Sequence, residues 1–430
     1  MAAPFTSPLA EALAPALLER FDRYVRIGTQ SDRDSDAWPS SARQRDLSRV
    51  LVDDLHALGL ADAELDEWGF VYATVPATIS ADDGPVPVIG LIAHVDTSPD
   101  APGDGVEPIV HRDYDGGVIA LPRGGTVLDP ALIAELGPRV GHDLVTSSGD
   151  TLLGADDKSG VAAIVTAVAH LLAHPELPRP TLRLAFTPDE ELGRGPQKFD
   201  VAGFGAQCAY TVDGSEIGEI QDETFSGTAA VVVIEGHEVH PGFATGKLVN
   251  AARIAAEVVA ALPADLTPER TSGRDGFIHV YELTGSAAHA EIHAIIRDFD
   301  DDRLAELGDL LRRTVDEVVA RSPRAKATVE ITPQYPNMRR FVEAFPAVTA
   351  AAEQAYRAEG IDPVRTPVRG GTDGSQLSAA GLPTPNLFTG GYEFHSVREW
   401  ASVQEMAASA AMLVHLAEVW TTPEFRGAAG

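Results

Sequence analysis

The chain of 430 residues contains a single cysteine, Cys208, and few positively charged side chains. One cysteine cannot form an internal disulfide, which excludes both a disulfide scaffold and a zinc cluster built from cysteines. Lysine and arginine number 33 against 64 aspartates and glutamates, so the formal net charge is −31. A nucleic acid or an anionic membrane would repel so acidic a protein, and we expect neither as a partner.

Long apolar runs are also absent from the sequence. The most apolar helical stretch, residues 161–172, is interrupted at His170 and is shorter than the roughly 20 residues of a membrane-spanning helix. The N-terminal segment has no early lysine or arginine and carries Glu11 within its apolar part, which is untypical of a secretory signal peptide. We therefore expect a soluble, cytoplasmic protein.

The composition is that of a folded globular protein, with 44% hydrophobic and 23% charged residues. The length predicts two or three domains. Apolar runs at 86–96, 181–191 and 209–216 predict buried strands, and a helix is predicted at 161–172 between the first two. Strand, helix and strand in this order indicate an α/β domain with a mixed, largely parallel sheet flanked by helices.

The pattern changes between residues 223 and 333. Four predicted strands and two predicted helices in this segment indicate a self-contained two-layer α+β domain. We therefore predict one domain formed by residues 1–222 and 334–430, interrupted by an inserted domain at 223–333. Residues 99–150, rich in glycine, proline and aspartate, are predicted to form an elaborate surface loop that could contain a hairpin.

Acidic residues and histidines cluster at the ends of the predicted strands and in two loops. They are His94 and Asp96, Asp156 and Asp157 in the turn before the helix, Glu190 and Glu191, Asp213, and His395 in a later glycine-rich loop. Because ligands of open α/β sheets bind beyond the carboxyl ends of the strands, we expect these side chains to converge. Carboxylates and imidazoles without thiolates suit Zn²⁺ or a similar divalent ion, and crowded carboxylates need a cation to offset their repulsion. Of two vicinal glutamates, one can bind metal while its neighbour transfers protons.

Eight segments, in the same order along almost the whole chain, resemble one known family. They are HVDTSPD (94–100), LLGADDKSGVA (152–162), FTPDEELG (186–193), YTVDG (210–214), HPG (240–242), IIRDFD (295–300), RGGTDGSQLS (369–378) and PNLFTGG (385–391). The set resembles the peptidase T family of cytoplasmic tripeptide aminopeptidases. That family lies within the larger di-zinc exopeptidase family, which includes carboxypeptidase G, aminoacylase and dipeptidases. The resemblance implies a zinc-exopeptidase-like catalytic domain with an inserted lid or dimerisation domain.

The resemblance also implies two Zn²⁺ ions per subunit and a role for each matching residue. The implied ligands are His94 and Asp213 for the first zinc, Asp156 bridging both ions, and Glu191 and His395 for the second. Asp96 would lie behind His94 and fix the tautomer of its ring. Asp157 would be structural, and Glu190 would be the general base.

Substrate contacts are implied in the inserted domain and in one later loop. His240 in the HPG motif would reach the active site across a homodimer, and closure of the inserted domain would complete that site. Arg297 and Arg369 are candidates for gripping the carboxylate or carbonyls of the peptide, with a surface or interdomain ion pair as the alternative. Asn250 is a further candidate for substrate binding.

The resemblance thus implies a di-zinc aminopeptidase that removes the N-terminal residue from tripeptides. A dipeptidase, a carboxypeptidase or an N-acyl amino acid hydrolase stays open, because all of them share this water-activating apparatus and differ in the substrate pocket. A non-catalytic binding protein is a further alternative. It predicts the loss of a ligand or of the base, whereas Glu190 and all five ligand positions are present.

Overall fold

The computed structural model describes residues 5–80, 85 and 87–429; Val86, in the first predicted strand, and the first four residues lie outside the described residues. The chain forms two compact units. The first comprises Met1–Asp222, Arg340–Thr366 and Thr372–Gly430, and the second comprises Glu223–Arg339 and Pro367–Gly371. No helix in the described part of the chain combines the length and the hydropathy that crossing a bilayer requires.

Strands and helices are numbered here along the chain. The strands are β1 (Glu64–Leu65), β2 (Val71–Val75), β3 (Val88–His94), β4 (Ile109–His111), β5 (Ile119–Ala120), β6 (Val127–Leu128), β7 (Leu144–Thr146), β8 (Thr181–Thr187), β9 (Cys208–Gly214), β10 (Glu219–Gln221), β11 (Ser226–Glu235), β12 (Phe277–Gly285), β13 (His289–Asp298), β14 (Lys326–Tyr335), β15 (Val364–Arg365), β16 (Asn386–Phe388), β17 (Gly391–Tyr392) and β18 (Trp400–Ser402). The helices are α1 (Pro8–Val25), α2 (Gln44–Ala57), α3 (Ala155–Ala173), α4 (Val201–Phe204), α5 (Ala251–Ala261), α6 (Asp301–Val319), α7 (Arg339–Glu343), α8 (Ala347–Ala358), α9 (Asp373–Ala379), α10 (Val403–Val419) and α11 (Pro423–Arg426).

The first unit is built on an eight-stranded mixed sheet with strand order β1-β2-β8-β3-β9-β16-β10-β15. Its centre is parallel, because β3 runs parallel to both β8 and β9, and β9 runs parallel to β16. Antiparallel pairing appears towards the edges, between β2 and β8 on one side and between β10 and β16 on the other. The predicted mixed, largely parallel sheet flanked by helices is confirmed.

Burial explains why these segments form strands and helices. The sequences of β3 and β8, VIGLIAH and TLRLAFT, are apolar and buried along most of their length, as expected of strands covered on both faces. Helices α1, α3 and α10 pack on one another, and α3 also packs on β3 and β9. Both α3 and α10 are rich in alanine and buried on nearly every face, which suits helices inside a layered domain.

Residues 99–150 form a packed layer, so the predicted elaborate surface loop is wrong in part. From this segment, β4 and β7 join β17 and β18 in a four-stranded sheet of order β17-β18-β7-β4, and β5 and β6 pair as a small hairpin. An apolar cluster holds the layer together and includes Leu128, Leu136 and Leu144 with Tyr392 and Trp400. Because the partner strands lie far along the chain, a local sequence pattern could not indicate this pairing.

The second unit has two layers. Its sheet has the order β12-β13-β11-β14, and every neighbouring pair is antiparallel. Helices α5 and α6 pack on this sheet, and the core between the layers includes Val232, Ile292, Ile296, Leu311 and Val315. Residues 334–339 and the short segment Pro367–Gly371 also belong to this unit.

Candidate active site

Three parallel strands in the middle of the first unit's sheet carry most of the predicted site residues. β3 lies between β8 and β9, and its last residue, His94, pairs with Thr187, the last residue of β8. The glutamate pair follows β8 in the 3-10 turn Glu190–Leu192, and Asp213 lies near the end of β9. Because neighbouring parallel strands end at the same edge of the sheet, these side chains converge there.

His94 is at the centre of the cluster. Its side chain is 2% exposed, and its Nε2 lies 2.8 Å from Oδ1 of Asp156 and 3.5 Å from Oδ1 of Asp213. Burial alone would lower the pKa of His94, but these two carboxylates outweigh it and raise the pKa well above its ordinary value. The imidazole is therefore enclosed by carboxylates on the side that faces the site.

Asp96 holds the glutamate turn in place. Its Oδ1 accepts the backbone N–H of Glu190 at 3.0 Å, and its Oδ2 accepts the backbone N–H of Glu191 at 3.2 Å and the hydroxyl of Ser31 at 2.6 Å. The Nδ1 of His94 lies 3.0 Å from the backbone oxygen of Asp96 and 3.4 Å from its carboxylate. Within Asp96, the backbone oxygen is thus the atom nearest to the ring of His94, whereas the carboxylate is bound mainly to the turn.

Asp156 and Asp157 lie at the start of α3, where both residues have non-helical backbone angles. The peptide bond between them is cis. Asp156 faces the histidines, and hydrogen bonds with His395 and His94 overcome the effect of burial and lower its pKa. Asp157 is buried and accepts the backbone N–H of His94 at 3.2 Å and that of Gly160 at 3.1 Å. A side chain at Gly160 would come within 1.8 Å of the backbone oxygen of Val212, so only glycine fits there.

The two glutamates have different partners. Oε2 of Glu191 lies 3.0 Å from Nε2 of His395, whereas Oε1 of Glu190 accepts the backbone N–H of Asp373 at 3.2 Å. Burial and the charge of Asp156 raise the pKa of Glu191 to about 8. Burial is also the largest cause of the raised pKa of Glu190. Both carboxylates therefore lie where an unbalanced negative charge is unfavourable.

His395 reaches the cluster from the loop between β17 and β18. Its Nε2 lies 3.2 Å from Oδ2 of Asp156 and 3.0 Å from Oε2 of Glu191, while its Nδ1 lies 3.2 Å from Oδ2 of Asp100. Burial would lower the pKa of His395, but its contacts with Asp156 and Glu191 raise it to about 11. The carboxylate of Asp100 therefore orients the outer ring nitrogen of this histidine. Arg33, at 2.6 Å, pairs with the same carboxylate.

These donors fit divalent metal ions. His94, Asp156 and Glu191 each place one ligand atom within 4.8 Å of the others, and so do His94, Asp157 and Asp213. Oε1 of Glu191 is buried and has no hydrogen-bond partner among the described residues, which leaves a carboxylate oxygen that a cation would satisfy. A set of imidazole and carboxylate donors is one that Zn²⁺ accepts. The individual ligand roles stay predictions.

Sequence reasoning missed several residues that support this cluster. Glu399 is buried, and its carboxylate accepts the backbone N–H groups of Leu153 at 2.7 Å, Gly154 at 2.7 Å and Asp156 at 3.0 Å. It therefore fixes the turn that presents Asp156. Glu399 follows His395 by four residues, and this proximity was the available signal for it. Ser31 offered no such signal, because its partner Asp96 is distant in the sequence.

Two predicted substrate-binding arginines belong to the second unit and have partners there. Arg297 is buried and donates to the backbone oxygens of Thr228 and Ile296 at 3.0 and 2.9 Å and to Gln334 at 2.8 Å. Arg369 donates to the backbone oxygens of Gly273 and Asp275 at 2.9 and 2.8 Å and to Thr271 at 2.8 Å. Both guanidinium groups thus bind the backbone of their own unit, and their role at the substrate stays a prediction.

His240 and Asn250 also belong to the second unit. His240 is exposed, its Nδ1 accepts the backbone N–H of Gly242 at 3.1 Å, and its ring lies 5.5 Å from that of Phe243. Asn250 is the N-cap of α5, because its Oδ1 accepts the backbone N–H of Arg253 at 3.1 Å. Capping gives Asn250 a local structural role, and substrate contacts by either residue stay predictions.

Known proteins resemble this chain in both sequence and fold. The sequence model of the family described as "Peptidase family M20/M25/M40" matches residues 152–419 of this chain. Peptidase T of Bacillus subtilis (strain 168) is 45% identical over 403 residues, which cover 94% of this chain and 98% of that protein. The crystal structure of aminopeptidase PepT from Bacillus cereus ATCC 10987 has a TM-score of 0.71 at 23% identity and covers 95% of this chain and 99% of that one. A tripeptidase from Staphylococcus aureus has a TM-score of 0.74 at 21% identity, with coverages of 94% and 98%. The resemblance to peptidase T is confirmed, and the chain belongs to the M20/M25/M40 peptidase family.

Proposed function

We propose that the enzyme removes the N-terminal residue from tripeptides, with two Zn²⁺ ions per subunit and Glu190 as the general base. The observation that carries the proposal is the convergence of the five predicted metal ligands at one sheet edge, beside Glu190. Membership of the peptidase family and 45% identity with a peptidase T over nearly the whole chain support the reaction class.

The proposed ligands divide between two ions. His94 and Asp213 would hold the first, Glu191 and His395 would hold the second, and Asp156 would be shared. Asp156 suits this role because its Oδ1 lies 2.8 Å from His94 and its Oδ2 lies 3.2 Å from His395. When bound, the two ions would supply Lewis acidity at the scissile carbonyl and lower the pKa of the attacking water.

Glu190 would transfer the protons of the reaction. Its carboxylate would take a proton from the attacking water and deliver it to the amine that leaves. The Asp373 backbone N–H holds its Oε1, and its own N–H is held by Asp96, so side chain and backbone are both fixed. Burial is the largest cause that raises the pKa of Glu190 above its ordinary value.

The assembly and the location of the enzyme are inferred from the resemblance to peptidase T. We infer a cytoplasmic homodimer that forms through the second unit, in which the partner's His240 completes each active site. Arg297, Arg369 and Asn250 stay candidates for contacts with the peptide. Light scattering on the purified protein tests the dimer, and a monomeric mass at micromolar concentration would contradict it.

Hydrolases with other substrate preferences would use the same ligands. A dipeptidase, a carboxypeptidase and an N-acyl amino acid hydrolase differ from the proposed enzyme in what they recognise around the scissile bond. A panel of a tripeptide, a dipeptide, an N-blocked tripeptide and an N-acyl amino acid separates these activities, with metal content measured on the same preparation. We expect the free tripeptide to be hydrolysed fastest and two zinc ions to be bound per chain.

Each other result of the panel points to a named alternative. Preference for the N-blocked tripeptide or the N-acyl amino acid would contradict an aminopeptidase, and preference for the dipeptide would identify a dipeptidase. Release of the C-terminal residue from the tripeptide would identify a carboxypeptidase. Absence of hydrolysis by protein that carries two zinc ions would favour a binding protein.

A further inference from the structure

The loop that carries His395, residues 393–399 between β17 and β18, has a strained backbone. Glu393 and His395 adopt left-handed conformations with φ of 54° and 61°, although neither is glycine. Such conformations persist only where the surrounding structure holds them. The side chain of His395 is 43% exposed, which makes it the most exposed of the five predicted ligands. The anchors of this loop therefore decide where its imidazole lies.

The two residues that flank the loop, Tyr392 and Trp400, pair with each other. Tyr392 ends β17 and Trp400 begins β18, and their rings stack with centres 4.3 Å apart. The hydroxyl of Tyr392 donates to Oε2 of Glu405 in α10 at 2.7 Å. Burial and the neighbouring carboxylate raise the pKa of Tyr392, so the phenol keeps the proton that it donates. Tyr392 thus attaches the first end of the loop to α10 in the body of the first unit.

Arg139 secures this attachment from a different part of the chain. It ends the 3-10 helix Ala134–Arg139 in the layer formed by residues 99–150, and its side chain is 3% exposed. Its Nε donates to Glu405 at 2.8 Å, its Nη2 donates to the hydroxyl of Tyr392 and to Glu216, and its guanidinium carbon lies 4.7 Å from the centre of the tyrosine ring. Because the guanidinium holds its donors in a rigid plane, the one side chain of Arg139 fixes both Tyr392 and Glu405, the carboxylate that accepts the hydroxyl of Tyr392.

We propose that Arg139 is a positioning residue for the metal ligand His395. By holding Tyr392 and Glu405, it keeps the strained loop in the conformation that places the imidazole beside Asp156 and Glu191. This inference rests on the proposed function only in taking His395 as a metal ligand. The contacts of Arg139 are with residues behind the loop, so it acts through His395 and has no part in the chemistry at the substrate.

A loss of stability alone would not test this role. Removing Arg139 leaves Glu405 buried without its cation, and an unpaired buried charge destabilises a protein whatever its function. The decisive quantity is the affinity of the protein for the zinc ion that His395 would hold. Residues behind metal ligands change metal affinity by about 10–100-fold when they are mutated.

The test is a calorimetric titration of metal-depleted protein with Zn²⁺, without substrate. We expect Arg139→Met to weaken one of two zinc-binding steps about 10–100-fold and to leave the other within about threefold. Tyr392→Phe keeps the ring and removes only the hydroxyl, so it should weaken the same step by a smaller factor. Arg123→Met is the matched control, because Arg123 lies in the same layer but is half exposed and pairs with Glu107 at the surface. We expect wild-type binding for this variant.

A double-variant cycle identifies the residue through which Arg139 acts. In a His395→Ala background, adding Arg139→Met should change zinc affinity less than about twofold, because the ligand that Arg139 positions is already gone. An equal loss in both backgrounds would overturn the proposal, as would wild-type affinity in Arg139→Met or in His395→Ala. If Arg139→Met does not fold, the same cycle with Tyr392→Phe decides. Wild-type protein that binds two zinc ions but hydrolyses no tripeptide would contradict the proposed function alone, because the titration involves no substrate.

Discussion

The backbone N–H of Glu190 donates to Oδ1 of Asp96 at 3.0 Å. The next N–H, that of Glu191, donates to the other oxygen of the same carboxylate. One buried aspartate, two residues after β3, therefore fixes the turn that carries both the proposed general base and a proposed ligand. The resemblance implied that Asp96 acts on the ring of His94, whereas its strongest contacts are with the glutamate turn and Ser31.

Asp96→Asn should impair catalysis through this turn. The substitution replaces one acceptor oxygen with an N–H donor that faces a backbone N–H, so one of the two hydrogen bonds to the turn is lost. We expect kcat on a tripeptide to fall about 10–100-fold with the fold retained. Asp46→Asn, at an exposed pair with Arg49, is the control and should leave kcat unchanged. Wild-type kcat in Asp96→Asn would show that the turn does not depend on this carboxylate.

Glu190→Gln separates proton transfer from metal binding. Glutamine has nearly the same shape and can still accept the N–H of Asp373, but it cannot take a proton from water. We expect two zinc ions per chain as in wild type and a loss of at least about 10²–10⁴ in kcat. Metal analysis and steady-state kinetics on one preparation provide the measurement. Retained turnover would mean that another group is the base.

Chelation should destabilise the first unit. Burial is the main cause that raises the pKa of Glu191 to about 8 and that of Asp213 to about 6, so these acids need a compensating charge. An ion whose free concentration is 100 times its Kd stabilises the native state by about 2.7 kcal/mol. We expect a chelator to lower the thermal midpoint by on the order of 5–10 °C, with recovery when Zn²⁺ is added back. A thermal midpoint that is the same with and without the chelator would argue against bound metal.

His415 in α10 predicts a pH dependence away from the proposed metal ligands. Hydrogen bonds with Glu359 and Glu418, whose oxygens lie 3.3 and 3.4 Å from the ring nitrogens, raise the pKa of His415 from 6.5 to about 9. Because the folded protein has the higher pKa, this stabilisation is complete below pH 6.5 and is lost as the pH rises through about 9. His415→Gln should therefore lower the free energy of unfolding by about 1–3 kcal/mol at pH 6, and by less at pH 9.5.

Denaturant titrations at the two pH values provide the measurement for His415. His174→Gln, at an exposed histidine, is the control and should change the free energy of unfolding little at either pH. An effect of His415→Gln that is equal at pH 6 and pH 9.5 would contradict the ionic contribution.

The sequence predicted the strands and most of the cluster because both depend on local features. Apolar runs indicated β3 and β8, since a strand covered on both faces needs apolar side chains along its whole length. The candidate positions followed from acidic residues and histidines at strand ends and in turns, and their ligand roles followed from the resemblance to peptidase T. Glu399 was missed because its acceptor role depends on where the turn at Leu153–Asp156 lies in space.

Contacts between distant segments were decided only by the tertiary structure. Composition and periodicity determined an acidic protein with an α/β domain, and the motifs around His94, Glu190 and Glu191 carried the resemblance to peptidase T, because both signals lie along the chain. The sequence did not indicate that Asp96 would bind the turn of those glutamates. Nor did it indicate that Arg139 would anchor the loop of His395. Such hydrogen bonds depend on the packing of segments far apart in sequence, and packing is settled only when the whole domain has folded.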